Sequence, residues 1–293
     1  GTTILGSNPS APARIMKNFF ENLTSKLNKY FFPFYKTKEI KLLFKKLEDG
    51  ESKNKEVAMF VGGCVRNYLQ LKKIGDIDIA TIFTPDELKK KLHNSKFKIV
   101  DTGIDHGSVT IILENKKFEF TTLRKDIKTD GRHAEIETID DWKEDSKRRD
   151  FTINSIYCDT EGNLTDPQGG LKDLTRKYPI VKFIGDTEKR IKEDFLRILR
   201  FIRFSIVYSN KFDINDLKVC EKFKKKIRLL SFERRINELK KILTLGNFEL
   251  YSIQKKIGEF LELSLDCKFD FSGFTTLCRL ERLIDDVSFE RRV

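Results

Sequence analysis

Apolar residues recur along the chain at two spacings, and each spacing predicts one kind of element. From Thr37 to Leu47 they follow the three-to-four-residue spacing of a helix, which ends at the turn signal Asp49-Gly50. The apolar run Val57–Val61 predicts a buried strand, and Gly62-Gly63 ends that strand. A short helix is predicted over Val65–Leu71. The early part of the chain therefore reads as helix, strand, helix.

The next segments continue this alternation. Asp76–Ala80 alternates polar and apolar residues with period two, as a half-buried strand does. Thr84–Glu87 opens a helix, with proline at its first position and acids in its first turn. Val109–Leu113 and Lys117–Leu123 predict two antiparallel strands that are joined at Glu114-Asn115.

Strand patterns stop at about Asp186, and this change predicts a domain boundary. We expect an α+β fold, with a mixed sheet and helices over residues 37–185 and an all-helical region over residues 186–293. Residues 1–15 are expected to be a cloning remnant or a processed leader. Met16–Tyr35 is basic and rich in Phe, which favours an amphipathic first helix over an organellar presequence.

Composition narrows the classes of function. The chain has 293 residues, of which 39% are hydrophobic and 25 are Phe, so general disorder is excluded. It has no apolar run long enough to cross a bilayer, which excludes an integral membrane protein. The five cysteines show no paired spacing, which favours an intracellular, reducing compartment in the cytoplasm, a mitochondrion or another organelle. A net charge of +12 indicates a polyanionic partner, nucleic acid or nucleotide.

The predicted strand Asp76–Ala80 carries the first candidate chemistry. Residues two apart on a strand point the same way, so Asp76 and Asp78 project from one face. Paired carboxylates are ligands that Mg²⁺ prefers, and two such ions can activate a hydroxyl and neutralise a leaving phosphate. The three histidines are far apart, so a metal here should be held by carboxylates. An isolated Asp-x-Asp is more often a solvated strand or turn.

The glycine pair before that strand adds an anion site. A strand that ends in Gly62-Gly63 and runs into a helix leaves backbone N–H groups aimed at the turn. Arg66 adds a guanidinium that can bind phosphate oxygens. The alternative is a tight turn with a surface arginine. Together with the two carboxylates, this element makes a nucleotidyl-transfer site plausible.

A second candidate site lies on a predicted helix over Glu188–Ile206. An apolar stripe faces a core, and Asp194, Arg197, Arg200 and Arg203 form a separate row in steps of three residues. A solvated, salt-bridged face is the usual meaning of such a row. Three arginines against one acid leave charge unbalanced, which favours an anionic or base-edge partner instead.

These motifs resemble the class II tRNA nucleotidyltransferase and poly(A) polymerase family, and the resemblance runs from about Val57 to Leu245. Its first block is Gly62–Arg66 with Asp76–Thr81, although the family usually has Asp where this chain has Asn67. Later blocks follow in the family's order: Phe118–Arg124, Arg148–Asn154, Glu193–Arg203 and Glu233–Leu239. Asp130–Glu135 is similar to the flexible loop of CCA-adding enzymes, especially the eukaryotic type.

The resemblance implies a polymerase-β-like palm sheet followed by a helical neck and body. It also implies addition of C, C and A to the 3′ end of tRNA from CTP and ATP, with two Mg²⁺ ions on Asp76 and Asp78. Gly62, Gly63 and Arg66 would hold the triphosphate. No motif matches after Gly246, so the tail that holds the tRNA elbow is expected to be reduced or absent.

The resemblance further implies that Asp194 and Arg197 template the incoming base. Cytosine and adenine each present an amino donor beside a ring acceptor, so an acceptor next to a fixed donor satisfies both, whereas uracil and guanine reverse the pattern. Residues matching Arg200 and Arg203 lie along the same nucleotide site. Arg149 and Asp150 match the ribose-recognition motif, although a helix-end salt bridge is an equal alternative. Glu119 is either a third carboxylate near the metals or a structural hydrogen-bonding group.

Three rival functions remain. A poly(A) polymerase shares nearly all these motifs, but Thr102–Val109 is similar to the CCA-adding version of that segment. A CC-adding enzyme would lack the loop at Asp130–Glu135. A non-catalytic tRNA-binding relative would be expected to have lost the carboxylate pair.

Overall fold

The computed structural model describes residues 33–52, 55–103, 107–129, 134–209, 211–245, 255–266, 268, 273–284 and 287–289. It contains two compact units, one comprising the chain up to Thr121 with Tyr157–Leu164, the other Thr122–Ile156 with the chain from Thr165 onward. The expected boundary between residues 185 and 186 falls within the second unit, so the division into 37–185 and 186–293 stays a prediction. The expectations for residues 1–32 lie outside the described residues.

The first unit is built on a seven-stranded sheet with the order β3-β4-β5-β2-β1-β8-β9. Its strands are β1 (Ala58–Val61), β2 (Ile77–Thr81), β3 (Lys98–Gly103), β4 (Ser108–Leu113), β5 (Lys116–Thr122), β8 (Tyr157–Cys158) and β9 (Leu164–Thr165).

The central strands follow the predicted pattern. Every residue of β1 is buried, as the apolar run requires, and β1 pairs antiparallel with β2, with Phe60 opposite Ile79. β4 and β5 form the predicted antiparallel hairpin, with Val109 opposite Phe120. Glu114 lies in the connecting turn with a φ of 53°, a left-handed conformation typical of tight turns. The four strands predicted from the sequence are therefore confirmed.

A short 3-10 helix (Phe34–Lys36) and three α-helices are described with the sheet: α1 (Lys38–Glu48), α2 (Gly63–Leu69) and α3 (Pro85–Lys91). The apolar spacing of α1 places four side chains in the core: Ile40, Leu43, Phe44 and Leu47. α3 begins with a capping box, in which the Thr84 hydroxyl accepts the N–H of Glu87 and the Glu87 carboxylate accepts the N–H of Thr84. These helices also match the prediction.

The second unit begins with the hairpin β6 (Arg124–Thr129) and β7 (Ala134–Thr138). All later elements described in this unit, apart from the last residue of β9, are helical. The α-helices are α4 (Trp142–Lys147), α5 (Gly170–Thr175), α6 (Thr187–Glu193), α7 (Leu196–Tyr208), α8 (Ile214–Phe223), α9 (Phe232–Leu243), α10 (Lys255–Leu265) and α11 (Phe274–Ile284). The α+β class with a helical C-terminal region is confirmed.

An aromatic cluster fixes the segment after α4 against α7. The Phe151 ring lies 4.9 Å from the Phe183 ring and 5.3 Å from the Phe204 ring, centroid to centroid. The Phe201 ring stacks on Phe183 at 5.4 Å. Phe151 and Phe201 are fully buried, so this cluster holds the Arg149-Asp150 segment beside α7.

The predicted continuous helix over Glu188–Ile206 is wrong. The chain forms two helices, α6 and α7, and Asp194 between them has extended backbone angles, φ −156° and ψ 110°. The Asp194 carboxylate accepts the N–H of Leu196 at 3.0 Å, so it satisfies one of the free donors at the start of α7. This local hydrogen bond competes with helix continuation, because short carboxylate side chains favour helix starts over helix interiors.

Candidate active site

The two predicted metal-binding carboxylates stand at the start of β2. Asp76 is exposed and directly precedes the strand, and Asp78 is half-buried as its second residue. Because β2 runs antiparallel to β1 with Ile79 opposite Phe60, the end of β1 lies beside Asp78. The turn that follows β1 therefore comes close to the carboxylate.

The glycine pair closes this turn over Asp78. Gly62 has a φ of 72°, a left-handed conformation that favours glycine. A Cβ added at either Gly62 or Gly63 would lie 3.5 Å from Asp78 Oδ2. Arg66 is buried in α2, and its Nη2 would lie 3.8 Å from a Cβ added at Gly63. The backbone N–H of Arg66 donates to the Gly62 carbonyl at 3.1 Å. The structure thus brings Gly62, Gly63, Arg66 and Asp78 together.

Cys64 supports this arrangement from inside the core, and the sequence motifs gave it no role. Its thiol is buried and donates to the carbonyls of Val61 at 3.3 Å and Asp78 at 3.6 Å. Burial, followed by the nearby Asp78 charge, raises the pKa of the Cys64 thiol to about 12. The neutral thiol therefore ties the glycine turn to the strand that carries the carboxylate.

The donor set at β2 fits a hard divalent cation. Mg²⁺ is usually bound through one or two protein carboxylates, with substrate phosphates and water filling its other positions, and Asp76 and Asp78 supply two. Over the described ranges, no group of three or more His, Cys, Asp or Glu side chains is placed to hold a metal. Glu119 is exposed on β5 opposite Thr110, and among the described residues it forms no three-ligand group with the two aspartates.

Asn67 closes the loop between α2 and β2. Its side-chain Nδ2 donates to the backbone carbonyl of Lys73 at 2.9 Å, and the backbone carbonyl of Asn67 accepts the N–H of Lys72 at 2.8 Å. An aspartate, the residue usual at this position in the resembling family, has no N–H to donate to Lys73. The difference therefore changes the loop that leads to Asp76.

We expect Asn67→Asp to lower the free energy of unfolding by about 1 kcal/mol, because the carboxylate would face the Lys73 carbonyl without a proton between them. Denaturant unfolding measures this change. Asn67→Ala is the control, since it leaves that exposed carbonyl open to water and should cost less. An Asn67→Asp protein as stable as the unchanged one would contradict the expectation.

Arg149 is held in the second unit by Asp145, which the motifs did not single out. The Asp145 side chain is completely buried and accepts Arg149 Nε at 3.3 Å and Nη2 at 3.1 Å. It also accepts Arg148 Nε at 2.8 Å and the N–H of Arg124 at 3.2 Å. The helix-end salt bridge that was the alternative for this segment is present, and it fixes the direction of Arg149.

Asp150 uses both carboxylate oxygens in the protein. Oδ1 accepts the N–H of Phe151 at 2.9 Å and Asn154 Nδ2 at 2.8 Å, while Oδ2 accepts Arg200 Nε at 2.9 Å and Nη2 at 2.5 Å. Burial acts to raise the pKa of Asp150, but the Arg200 charge and the hydrogen bonds from Asn154, Arg200 and Phe151 together lower it to about 2. Asp150 is therefore an ionised anchor for Arg200.

This lowered pKa predicts acid sensitivity. The folded pKa of about 2 lies below the usual aspartate pKa of 3.8, so the stabilisation is present above about pH 4 and is lost as pH falls towards 2. We expect about 2 kcal/mol of the free energy of unfolding to disappear over this range through Asp150 alone. Asp150→Asn should lack that component of the pH dependence, which unfolding curves at pH 5, 4, 3 and 2 would show. An unchanged pH profile in Asp150→Asn would contradict the assignment.

Asp194, at the break between α6 and α7, is bound at both oxygens. Oδ1 accepts the N–H of Leu196 at 3.0 Å, and Oδ2 accepts Arg234 Nη2 from α9 at 2.9 Å. Each carboxylate oxygen offers about two lone-pair sites, so each retains one acceptor position. A cavity of about 470 Å³ is lined by Asp194, Phe195, Arg234 and residues around them. Asp194 is therefore oriented and still able to accept.

The prediction of unbalanced charge along the arginine row is wrong. Each arginine meets an acid that lies outside the row. The partner of Arg197 is four residues before it, whereas the partners of Arg200 and Arg203 come from distant segments of the second unit. The half-buried pairs are Arg197 with Glu193, Arg200 with Asp150, and Arg203 with Glu238. Among the contacts of the described residues, Arg197 uses only Nη1, which leaves its Nη2 and Nε to donate.

Comparison with known proteins shows which family the residues around Asp78 resemble. Residues 58–179, which include β1, β2 and the Arg149-Asp150 segment, match the model of the poly A polymerase head domain. Over these residues the chain is similar to that family. The matched residues include Gly62, Gly63, Arg66, Asp76 and Asp78, and the family resemblance seen in the sequence is confirmed.

Curated relatives match a longer part of the chain than the head-domain model does. The mouse protein named mitochondrial CCA tRNA nucleotidyltransferase 1 is 38% identical over 227 residues, covering 74% of this chain and 52% of that protein. The chain spans about half the length of the curated relatives it matches.

Solved structures agree with the head-domain assignment. The Bacillus stearothermophilus CCA-adding enzyme in complex with CTP matches with a TM-score of 0.60 and 29% identity, covering 81% of this chain and 55% of that one. A tRNA nucleotidyltransferase complexed with a primer tRNA and an incoming ATP analogue matches with a TM-score of 0.62 and 27% identity, over 78% and 65%. The polymerase-β-like head expected from the sequence is confirmed.

Some predicted features of the head domain fall where the structure is not described. Asp130–His133 of the proposed flexible loop, between β6 and β7, lie outside the described residues, as do residues 104–106 of the Thr102–Val109 segment. Where helices are described, none is long and apolar enough to span a membrane.

Proposed function

We propose that this protein is a CCA-adding tRNA nucleotidyltransferase, which adds C, C and A to the 3′ end of tRNA from CTP and ATP. The observation that carries the proposal is the Asp78 carboxylate beneath the Gly62-Gly63 turn and beside Arg66 in a poly A polymerase head domain. The mouse relative and the solved complexes with CTP or with tRNA and an ATP analogue support it by name.

The head-domain residues bind and orient the triphosphate. The Gly62-Gly63 turn and the Arg66 guanidinium offer donors to phosphate oxygens next to Asp78. Enzymes of this family generally use divalent metal ions, and we propose that Asp76 and Asp78 hold two Mg²⁺ ions. When bound, these ions lower the pKa of the attacking 3′-hydroxyl and offset the charge on the departing pyrophosphate.

Asp194 and Arg197 select the base in this proposal. The remaining acceptor positions of Asp194 suit the amino group of cytosine or adenine, and the Nη2 and Nε donors of Arg197 suit the neighbouring ring nitrogen. Arg203 is paired with Glu238 and borders Phe204, which holds it in a fixed orientation along the same helix. Uracil and guanine present the opposite pattern and lose both hydrogen bonds.

The Arg149-Asp150 segment faces the ribose in this proposal. The four protein hydrogen bonds to Asp150 occupy its lone-pair sites, so we assign the hydrogen bond to the 2′-hydroxyl to Arg149, and to Asp150 the positioning of Arg200. The partner is the acceptor end of tRNA, bound with the help of the net charge of +12. We place the protein in the cytoplasm, a mitochondrion or another organelle, since several relatives are named mitochondrial.

The test is an extension assay with tRNA that lacks its 3′ end. The protein is incubated with labelled CTP and ATP singly and together, and the products are sized. We expect two additions with CTP alone and a third when ATP is also present. A long adenylate ladder would indicate a poly(A) polymerase instead, and binding of tRNA with no incorporation would indicate a non-catalytic relative.

A further inference from the structure

Arg190 lies outside every motif that indicated the function, yet it is almost fully buried. It is on α6, with 8% of its surface exposed, and a buried arginine is unusual unless its charge is paired. Its Nη1 donates to Glu193 in a very short contact, and its Nη2 donates to two backbone carbonyls, those of Arg148 and Arg149, the latter at 2.7 Å. One side chain therefore joins α6 to the segment after α4.

Arg190 holds Arg197 in two ways, through Glu193 and through its own backbone carbonyl. Glu193 Oε2, which pairs with Arg190, also accepts Arg197 Nη1 at 2.6 Å. The backbone carbonyl of Arg190 accepts the same Nη1 at 2.7 Å. Both hydrogen bonds that orient Arg197 therefore depend on where Arg190 and Glu193 lie.

The other terminal nitrogen of the Arg190 guanidinium, Nη2, holds the backbone at Arg149. The Arg149 guanidinium is fixed by the buried Asp145, and the Arg149 carbonyl by Arg190. Movement of Arg190 would shift the backbone from which the Arg149 side chain extends. Buried hydrogen-bonded networks of this kind behave as units, so displacement of one member disturbs the others.

We propose that Arg190 is a positioning residue that couples ribose selection at Arg149 to base selection at Arg197. This inference rests on the proposed function, which assigns the ribose to Arg149 and the base to Arg197. Arg190 touches neither group of the nucleotide itself. It sets the distance between the two residues that do, so a nucleotide with the wrong base or the wrong sugar disturbs the same network.

The primary test compares Arg190→Met and Arg190→Lys with Lys189→Met, whose side chain is exposed on the same helix. For each protein, kcat/KM is measured for CTP, UTP and dCTP on tRNA lacking its 3′ end. In Arg190→Met we expect both the CTP/UTP and the CTP/dCTP ratios to fall about tenfold, with the Lys variant between that and the unchanged protein. Lys189→Met should leave both ratios unchanged.

Glu193→Gln separates the two halves of the network and serves if Arg190→Met fails to fold. It removes the charge that pairs Arg190 with Arg197 while leaving the Arg190 hydrogen bonds to the carbonyls of Arg148 and Arg149. We expect the CTP/UTP ratio to fall in this variant and the CTP/dCTP ratio to stay within about twofold of the unchanged protein.

Two results would overturn the inference. Equal loss of kcat/KM for all three nucleotides in Arg190→Met and Arg190→Lys would show a purely structural role, and a fall in only one ratio would show that the two selections are not coupled. The proposed function fails in a different way, because the unchanged protein itself would then incorporate nothing or build a long adenylate ladder, and the inference would fail with it.

Discussion

Asp78→Asn is expected to abolish nucleotide incorporation and to leave tRNA binding nearly intact. The amide keeps the size of the carboxylate beneath the Gly62-Gly63 turn but removes the negative charge that a divalent cation requires. The backbone carbonyl of Asp78, which accepts the Cys64 thiol, is unchanged, so the fold should persist. We expect a loss of about a thousandfold or more in kcat, because the charge acts where the leaving phosphate develops its own.

Primer extension on tRNA lacking its 3′ end measures this loss, and filter binding with thermal unfolding checks that the protein is folded and binds tRNA. Asp76→Asn should behave in the same way. The matched control is Asp86→Asn, an exposed acid in the first turn of α3, which should retain full activity. Turnover near that of the unchanged protein in both Asp76→Asn and Asp78→Asn would refute the metal assignment.

Asp194→Ala is expected to erode discrimination against UTP and GTP by about ten- to a hundredfold, the usual cost of losing one base-edge hydrogen-bond pattern. The structure adds a second consequence. Asp194 also accepts the N–H of Leu196 at the start of α7 and pairs with Arg234, so the variant should lose about 1 kcal/mol or more of unfolding free energy.

The two effects can be separated with a matched variant. Asp186 accepts the N–H of Lys189 at the start of α6 and has no role in the proposed base site. Asp186→Ala should lower stability by a similar amount and leave the kcat/KM ratios for CTP, ATP, UTP and GTP unchanged. Undiminished selectivity in Asp194→Ala, measured below its unfolding temperature, would place the template elsewhere.

Four of the seven described strands of the sheet and the glycine turn could be predicted from the sequence because their signals are local. An apolar run, a glycine pair and a period-two segment are each recognised from a few residues. The structure places the resulting turn close to the strand, with Gly62 near Asp78. The break at Asp194 was missed for the opposite reason. Apolar spacing on both sides fits one helix, and only the hydrogen bond from Leu196 shows that the carboxylate starts a new one.

The partners of Arg200 and Arg203 could not be predicted, since they come from far along the chain. Arg200 pairs with Asp150 across 50 residues, and Arg203 with Glu238 across 35. Spacing along one helix reports which side chains are neighbours on that helix, and nothing about acids that packing brings to them. The charge of the row is therefore unbalanced only when α7 is considered without the segments that pack against it.

Asp194 accepts an N–H at the start of α7 and is also the proposed acceptor for the base, which affects how nucleotide preference in this fold can be redesigned. If Asp194 faces the base as proposed, a substitution there changes that group and removes the acceptor at the start of α7 in the same step, so altered preference is accompanied by a weakened scaffold. Arg197 is the second residue of α7, and in the described part of the chain Glu193 and the Arg190 carbonyl hold one of its nitrogens, Nη1. Directed evolution towards uracil or guanine should therefore find its tolerated solutions at position 197 before position 194.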